Sequence, residues 1–294
     1  MVTPEDVTIG FVGAGVLGSG LALALSAAGW RVHAIASRTL SSAERTANLI
    51  DGCAAMGSAQ QVADACDLVF ITTPDSVIAE VARAVTWRPD QGVAHCCGAA
   101  STELLDTAAH SGAAVGAMHP FQTFAAIDGP EQAAERLNGV TFAIAATGWL
   151  AEFVPNLAAS VGGRGIEIPA GLRPLYHASA VLSCGYLSTL LDAAVGLWTT
   201  MGFSQEDGVR AAVPLARATI EAIERQGPAD AVTGPVVRGD ADTLAAHLEL
   251  LAQHAPHLLP LYRQLTESSL PLAREKGIAE QQLDQLRRTI RVSD

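Results

Sequence analysis

Residues 7 to 12 form a short apolar run, followed at once by Gly13-x-Gly15-x-x-Gly18 and by a helix-like stretch from Ser19 to Ala28. That order leaves the chain few choices. The first glycine permits a tight turn from strand to helix, and the second lets a pyrophosphate approach the backbone. The third lets the helix pack closely on the strand, so that its first N–H groups stay free for phosphate charge. A dinucleotide-binding turn is expected here, with Gly13, Gly15, Val16, Leu17 and Gly18 as its contacts.

The turn opens an alternating pattern. Strands are expected near 7–12, 31–36, 68–72, 93–96, 114–118, 141–145 and 165–168, with helices near 18–28, 41–50, 76–85, 102–109 and 149–160. Alternation of this kind signals a doubly wound parallel α/β sheet. Pro169-Ala170-Gly171 reads as a boundary, giving a dinucleotide-binding domain over 1–169 and an all-α domain over 170–294. The second domain begins with 172–201, which is apolar nearly all round and carries only two charges, Arg173 and Asp192. As one helix it would be roughly 45 Å long. It must be buried on most faces, more than one small domain can cover, so a homodimer closed over it is expected. Further helices fall near 204–226, 242–254, 257–276 and 279–291.

Several side chains are placed to do chemistry. The second strand ends in Ser37-Arg38-Thr39, with no acid to hold a ribose 2′-hydroxyl; Arg38 suits a 2′-phosphate, so NADP is expected over NAD. Thr73 and Pro74, where the third strand reading ends, join the cofactor set. His119 follows the strand read as ending at Met118, on the side where ligands bind open α/β sheets. His95, Cys96 and Cys97 end another strand, the two thiols reading as packing groups. Along the apolar helix, His177, Cys184 and Ser188 fall within roughly 40° of one another at 100° per residue, a thin polar strip. Between later helices, 233–240 is a Gly- and Pro-fixed loop in which Arg238, Thr233 and Asp240 are candidate substrate contacts; Asp240 equally suits a helix N-cap. His247, His254 and His257 lack companion ligands, so no metal site is expected. Lys276 is the only lysine, which confines any lysine-based mechanism to that residue.

The net charge of −12 argues against nucleic acid or an anionic membrane as partner, and with 49% apolar and 16% charged residues most of the chain is packed. An anionic small molecule must then be held by a few placed arginines and backbone N–H groups. Five scattered cysteines suit a reducing compartment. With no basic leader and no run read as long enough to span a bilayer, a cytoplasmic protein is expected.

Together GAGVLG at 13–18, SRT at 37–39, HPFQTF at 119–124, YHASAVLSCGYL at 176–187 and TGPVVRGDADT at 233–243, with His247 after them, resemble a family. They look like the bacterial Rossmann-like proteins with a C-terminal helical domain of unknown function, relatives of pyrroline-5-carboxylate reductase and 6-phosphogluconate dehydrogenase. The resemblance implies an NADP-linked oxidoreductase fold, dimeric through its helical half, with some relatives thought to reduce ketopantoate. It also implies Ser-Asn where this chain has Cys184-Gly185, a departure that removes a natural group for orienting a substrate carbonyl.

Two functions follow as expectations. In the first, NADPH reduces a small carbonyl or imine acid, His177 or His119 supplying the proton, with Cys184 and Ser188 beside them and Arg238 gripping a carboxylate. In the second, the chain is a non-catalytic NADP-binding sensor or scaffold.

Overall fold

The structure, a computed structural model, describes residues 7–291. It divides into two compact units, 1–184 and 185–294. The first is built on eight strands: β1 (Thr8–Val12), β2 (Arg31–Ala36), β3 (Ala54–Met56), β4 (Leu68–Ile71), β5 (Gly92–His95), β6 (Ala114–Pro120), β7 (Thr141–Ala146) and β8 (Arg164–Glu167). They form one sheet in the order β3-β2-β1-β4-β5-β6-β7-β8. Helices α1 (Val16–Ala27), α2 (Leu40–Ala47), α3 (Ala59–Ala65), α4 (Ile78–Ala84), α5 (Asp106–His110), α6 (Pro130–Glu135) and α7 (Leu150–Ser160) fill the connections.

Strands such as Leu68-Val69-Phe70-Ile71 are buried throughout, as a parallel sheet covered on both faces requires. One face packs Leu21, Leu25, Ala43, Phe153 and Leu157 against the strands. The other packs Val62, Ile78, Ala82 and Leu105. The last strand, Arg164-Gly165-Ile166-Glu167, is mostly exposed, and its charges blunt an open edge.

The expectation of a parallel sheet holds through β6. There the direction reverses: β6 pairs antiparallel with β7, and β7 is parallel to β8. A second difference matters more for function. The β5–β6 ladder stops at His95–Ala117, while β6 runs on to Pro120 against β7 alone. His119 therefore lies within a strand and beyond the reach of its neighbour. Phe121 N–H donates to Thr141 O at 2.8 Å on the β7 side, so by alternation the N–H that Pro120 lacks would have faced the side β5 has left.

The apolar stretch that follows is not one rod. It is two helices, α8 (Arg173–Ser183) and α9 (Gly185–Thr200), separated at Cys184 with φ −123° and ψ −75°. α8 belongs to the first unit. Most of this stretch is exposed within the single chain rather than buried: only 6% of its most apolar window is covered. With a mean hydropathy of 1.5, residues 170–200 are long and apolar enough to cross a membrane by length and composition, which corrects the expectation that no run is.

The second unit continues with α10 (Gln205–Gln226), α11 (Pro228–Ala231), α12 (Ala241–His254), α13 (Leu259–Glu275) and α14 (Glu280–Arg291). Leu244, Leu248, Leu270, Leu283, Leu286 and Ile290 form a core between α12, α13 and α14. α10 starts with a capping box, Ser204 and Asp207 bonding each other's backbone N–H. It approaches α9 closely at Gly208, where a Cβ would stand 3.0 Å from Val195.

Candidate active site

Each glycine of the first turn has a separate reason to be there. Gly13 has φ +121°, and a Cβ on it would lie 2.7 Å from the Thr72 carbonyl carbon. Gly18 faces Gly13 O and the Thr72 hydroxyl too closely for any side chain. Gly15 has open space where a Cβ would stand, and it begins α1 with no side-chain cap. Uncapped N–H groups at an unobstructed helix start are an anion site, and Val16 and Leu17 supply them. The residues present fit a pyrophosphate.

At the end of β2, Arg38 is exposed and pairs with no carboxylate among the described residues. Beside it Thr39 Oγ1 meets Ser42 Oγ at 2.8 Å, and Arg45 Nη2 donates to Ser42 Oγ at 2.9 Å. Ser42 and Arg45 also line a cleft of about 370 Å³ with Gly15, Val16 and Ser19. The sequence reading took Ser37, Arg38 and Thr39 and missed Ser42 and Arg45, one helical turn further on.

Beyond the end of β5 two imidazoles come together. His119 and His177 rings lie 6.1 Å apart, and a Cβ at Gly98 would stand 2.8 Å from both His119 Nε2 and His177 Nδ1. Only glycine lets these two nitrogens converge on one spot. Tyr176, one residue before His177, places its hydroxyl 2.8 Å from His119 Nδ1. Burial, His177 and Arg173 push the His119 pKa down to about 4, so its imidazole is neutral at pH 7. Burial likewise raises Tyr176 to about 12, which keeps its proton. His177 Nδ1 and Thr73 Oγ1 are enclosed with no hydrogen-bond partner, and buried polar atoms without partners are rare enough to need a reason.

His95 has a different task. Its Nδ1 accepts the Cys97 N–H at 3.1 Å, which puts the ring proton on Nε2, 3.0 Å from Ser101 O. It pins the turn that carries Gly98. Its pKa, pushed down to about 4 chiefly by burial, keeps it neutral for that purpose. Burial holds the Cys96 thiol up at about 12 and raises Cys97 as well, so neither is a ready thiolate.

Cys184 interrupts the helix, so the phase relation connecting it and Ser188 to His177 does not run through. Of the proposed strip the structure brings His177 to His119. In the second unit, Asp240 caps α12: Thr243 N–H and Oγ1 donate to its two oxygens at 3.0 and 2.7 Å. Arg238 is exposed with Asp240 at 3.9 Å, and Thr233 lies earlier in the same loop. His247 Nδ1 is 2.7 Å from Tyr262 OH, and no metal-binding group of His, Cys, Asp and Glu occurs among the described residues.

Tyr176, Gly98 and Arg173 escaped the sequence reading. Arg173 alone left a signal there, as one of two charges in a 30-residue apolar stretch.

Residues 1–120 match the Rossmann-like domain family, and residues 140–269 match a domain of unknown function, DUF2520. A Thermotoga maritima protein shares 22% identity over 90% of this chain and 99% of its own, with a TM-score of 0.74. A Bacteroides fragilis protein described as a candidate NADP oxidoreductase shares 24% over 92% and 100%, with a TM-score of 0.70. Plasmodium falciparum pyrroline carboxylate reductase, solved with NADP bound, shares 15% over 93% and 99%, with a TM-score of 0.57. At these identities the likeness is one of fold. No curated protein matched the sequence.

Proposed function

We propose that this chain, a Rossmann-like domain followed by a DUF2520 domain, is an NADP(H)-dependent oxidoreductase that reduces a small carbonyl or imine acid. The observation that carries the reading is the convergence of His119 Nε2 and His177 Nδ1 over Gly98, at the strand ends of a sheet that begins with a pyrophosphate turn.

Gly13, Gly15, Val16, Leu17 and Gly18 hold the pyrophosphate, Ser37, Arg38 and Thr39 the 2′-phosphate, and Thr73 and Pro74 border the nicotinamide side. When bound, NADPH supplies the hydride. The chain supplies the rest. In this reading Tyr176 donates its O–H to His119 Nδ1, at 2.8 Å, rather than to the His119 carbonyl, at 3.4 Å, which places the ring proton of His119 on Nε2. A neutral imidazole so held donates a hydrogen bond and polarises a carbonyl or imine; it is too weak a base to arrive protonated. That assigns the proton-delivering role to His177, whose Nδ1 has no other partner.

A homodimer belongs to the same reading. Leu175, Leu182, Tyr186, Met201, Leu215 and Ile220 are exposed large apolar residues, more than a monomer ordinarily shows to water. Covering them in an obligate dimer would bury at least about 2,000 Å².

NADPH consumption measured against 2-oxo acids and cyclic imines tests the function. Turnover on any of them supports it. Tight NADPH binding with no turnover favours the sensor or scaffold, which the broken helix at Cys184-Gly185 favours independently. No NADP(H) binding removes both.

A further inference from the structure

We propose that Arg173 is the residue that receives the substrate's carboxylate, and that it does so beside the two converging imidazoles, which makes the substrate a 2-oxo or 2-imino acid. The assignment deepens the oxidoreductase reading and rests on it for the fate of the neighbouring carbon, although carboxylate binding itself stands apart.

Arg173 opens α8, and its side chain is fully buried, the largest such side chain among the described residues. One nitrogen is used: Nη2 donates to the Cys97 carbonyl at 3.0 Å. Nε and Nη1 are sealed from water with nothing to donate to. No carboxylate of the described residues lies within 4.0 Å of the guanidinium. A guanidinium keeps its charge in proteins, and enclosing an unpaired ion costs several kcal/mol even after relaxation. A chain that only needed Cys97 held in place has cheaper ways to do it. The arrangement makes sense if a ligand brings the counter-charge.

The position of the cation names the ligand. Arg173 grips Cys97, and the next residue is Gly98, over which His119 Nε2 and His177 Nδ1 meet. A single guanidinium suits a carboxylate monoanion better than a phosphate dianion, and the phosphate sites of the fold lie at the glycine turn and the end of β2. In this assignment a ligand whose carboxylate sits on Arg173 turns its adjacent carbon toward the imidazoles. That is the geometry of a 2-oxo acid or a cyclic 2-imino acid. A cleft of about 410 Å³ lies beside the chain neighbours of Arg173, lined by Ala99, Ala100, Ser101 and Glu103 on one side and by Ala170, Gly171 and Pro174 on the other.

The test compares pyruvate with pyruvamide, which differ in the charged group, by calorimetric titration of the full-length protein with and without NADP+. Wild type is expected to prefer pyruvate by at least about tenfold, roughly 1.4 kcal/mol. Arg173→Met should erase the preference, Arg173→Lys should keep part of it, and Arg83→Met, at an exposed arginine on α4, should leave it intact. Equal binding of the two probes by wild type overturns the proposal, as does a preference that survives Arg173→Met or vanishes in Arg83→Met. Replacing a buried unpaired charge with an apolar side chain should leave the unfolding midpoint unchanged or raise it. Should Arg173→Met fail to fold, the wild-type comparison and the lysine variant still decide. Pyruvate preference without NADPH consumption on any 2-oxo or imino acid would sink the oxidoreductase reading while leaving Arg173 as a carboxylate site.

Discussion

Two arginines show how differently the two units of this chain treat charge. Arg173 in the first is enclosed, touches one carbonyl and has no carboxylate of the described residues within 4.0 Å. Arg238 in the second is 61% exposed, with a carboxylate at 3.9 Å. Water screens the second almost completely, and such pairs contribute little. The first acts through a poorly screening interior, where its field reaches His95 and His119 and lowers the pKa of both. The same contrast separates His119 and His177 from the exposed Arg38. Enclosed groups should dominate chemistry and acid stability, whereas exposed ones should set selectivity or do little.

The largest expected effect is at His177. If the protein is an active reductase, His177→Ala should lower turnover by roughly 10²- to 10⁴-fold, the usual worth of a positioned proton donor, with NADPH affinity nearly unchanged. A comparable loss of affinity would show that His177 belongs to the cofactor site instead.

Acid stability comes next. His95 and His119 have folded pKa values near 4 against an ordinary 6.5, so between those values the unfolded chain binds more protons than the folded one. Their contribution is full above about pH 6.5 and is lost as pH falls toward 4. For each it is at most about 3 kcal/mol. Around His119 stand His177, Arg173 and His95, which lower its pKa, and Asp75, which raises it; Tyr176 bonds its Nδ1. Denaturant unfolding at pH 4.5 and 7 should show a steep drop that His119→Asn reduces. An unchanged slope in that variant would mean that His119 is not the titrating group.

The sheet was legible in the sequence because a strand buried on both faces must be a continuous apolar run, and β4 is such a run throughout and β1 after its first residue. The three residues of β3 and the short α3 and α6 leave too little periodicity to read. The reversal at β7 has no local signature, since a strand looks the same in either direction. The phosphate turn was readable because backbone geometry demands glycine at set spacings. The imidazole cluster was only half readable. His119 and His177 stood out by type and position, but their convergence depends on Gly98, 21 residues before His119 and carrying no motif. The helical strip failed at Cys184 because a phase argument presumes an unbroken helix. Arg173 was visible as a charge in apolar surroundings, and its meaning appeared only when the structure showed what it lacked.

Selectivity between cofactors should be a smaller effect, since Arg38 works in water. Wild type should bind NADP(H) at least about tenfold more tightly than NAD(H), the worth of one or two exposed charge-assisted bonds, and Arg38→Asp should reverse the order. Arg45→Ala should weaken NADP(H) less, because Arg45 is already tied to Ser42. Equal affinities in the wild type would remove the NADP assignment.

The smallest effects should lie in the 233–240 loop, where they separate local structure from binding. Asp240 accepts from both the backbone and the hydroxyl of Thr243, and these bonds, with Thr243 first among the causes, hold its carboxyl below the usual range. It therefore acts as a cap, and Asp240→Ala should lower the unfolding midpoint by about 2 to 4 °C. Asp240→Asn keeps an acceptor for the Thr243 N–H and should recover most of that loss. Arg238→Ala removes a long-distance, solvent-screened pair and should leave the midpoint within error. Thermal unfolding of the three variants decides between a cap and an ion pair. If Arg238→Ala destabilises as much as Asp240→Ala, the exposed pair carries more than its geometry allows, and the contrast between the two arginines would have to be redrawn.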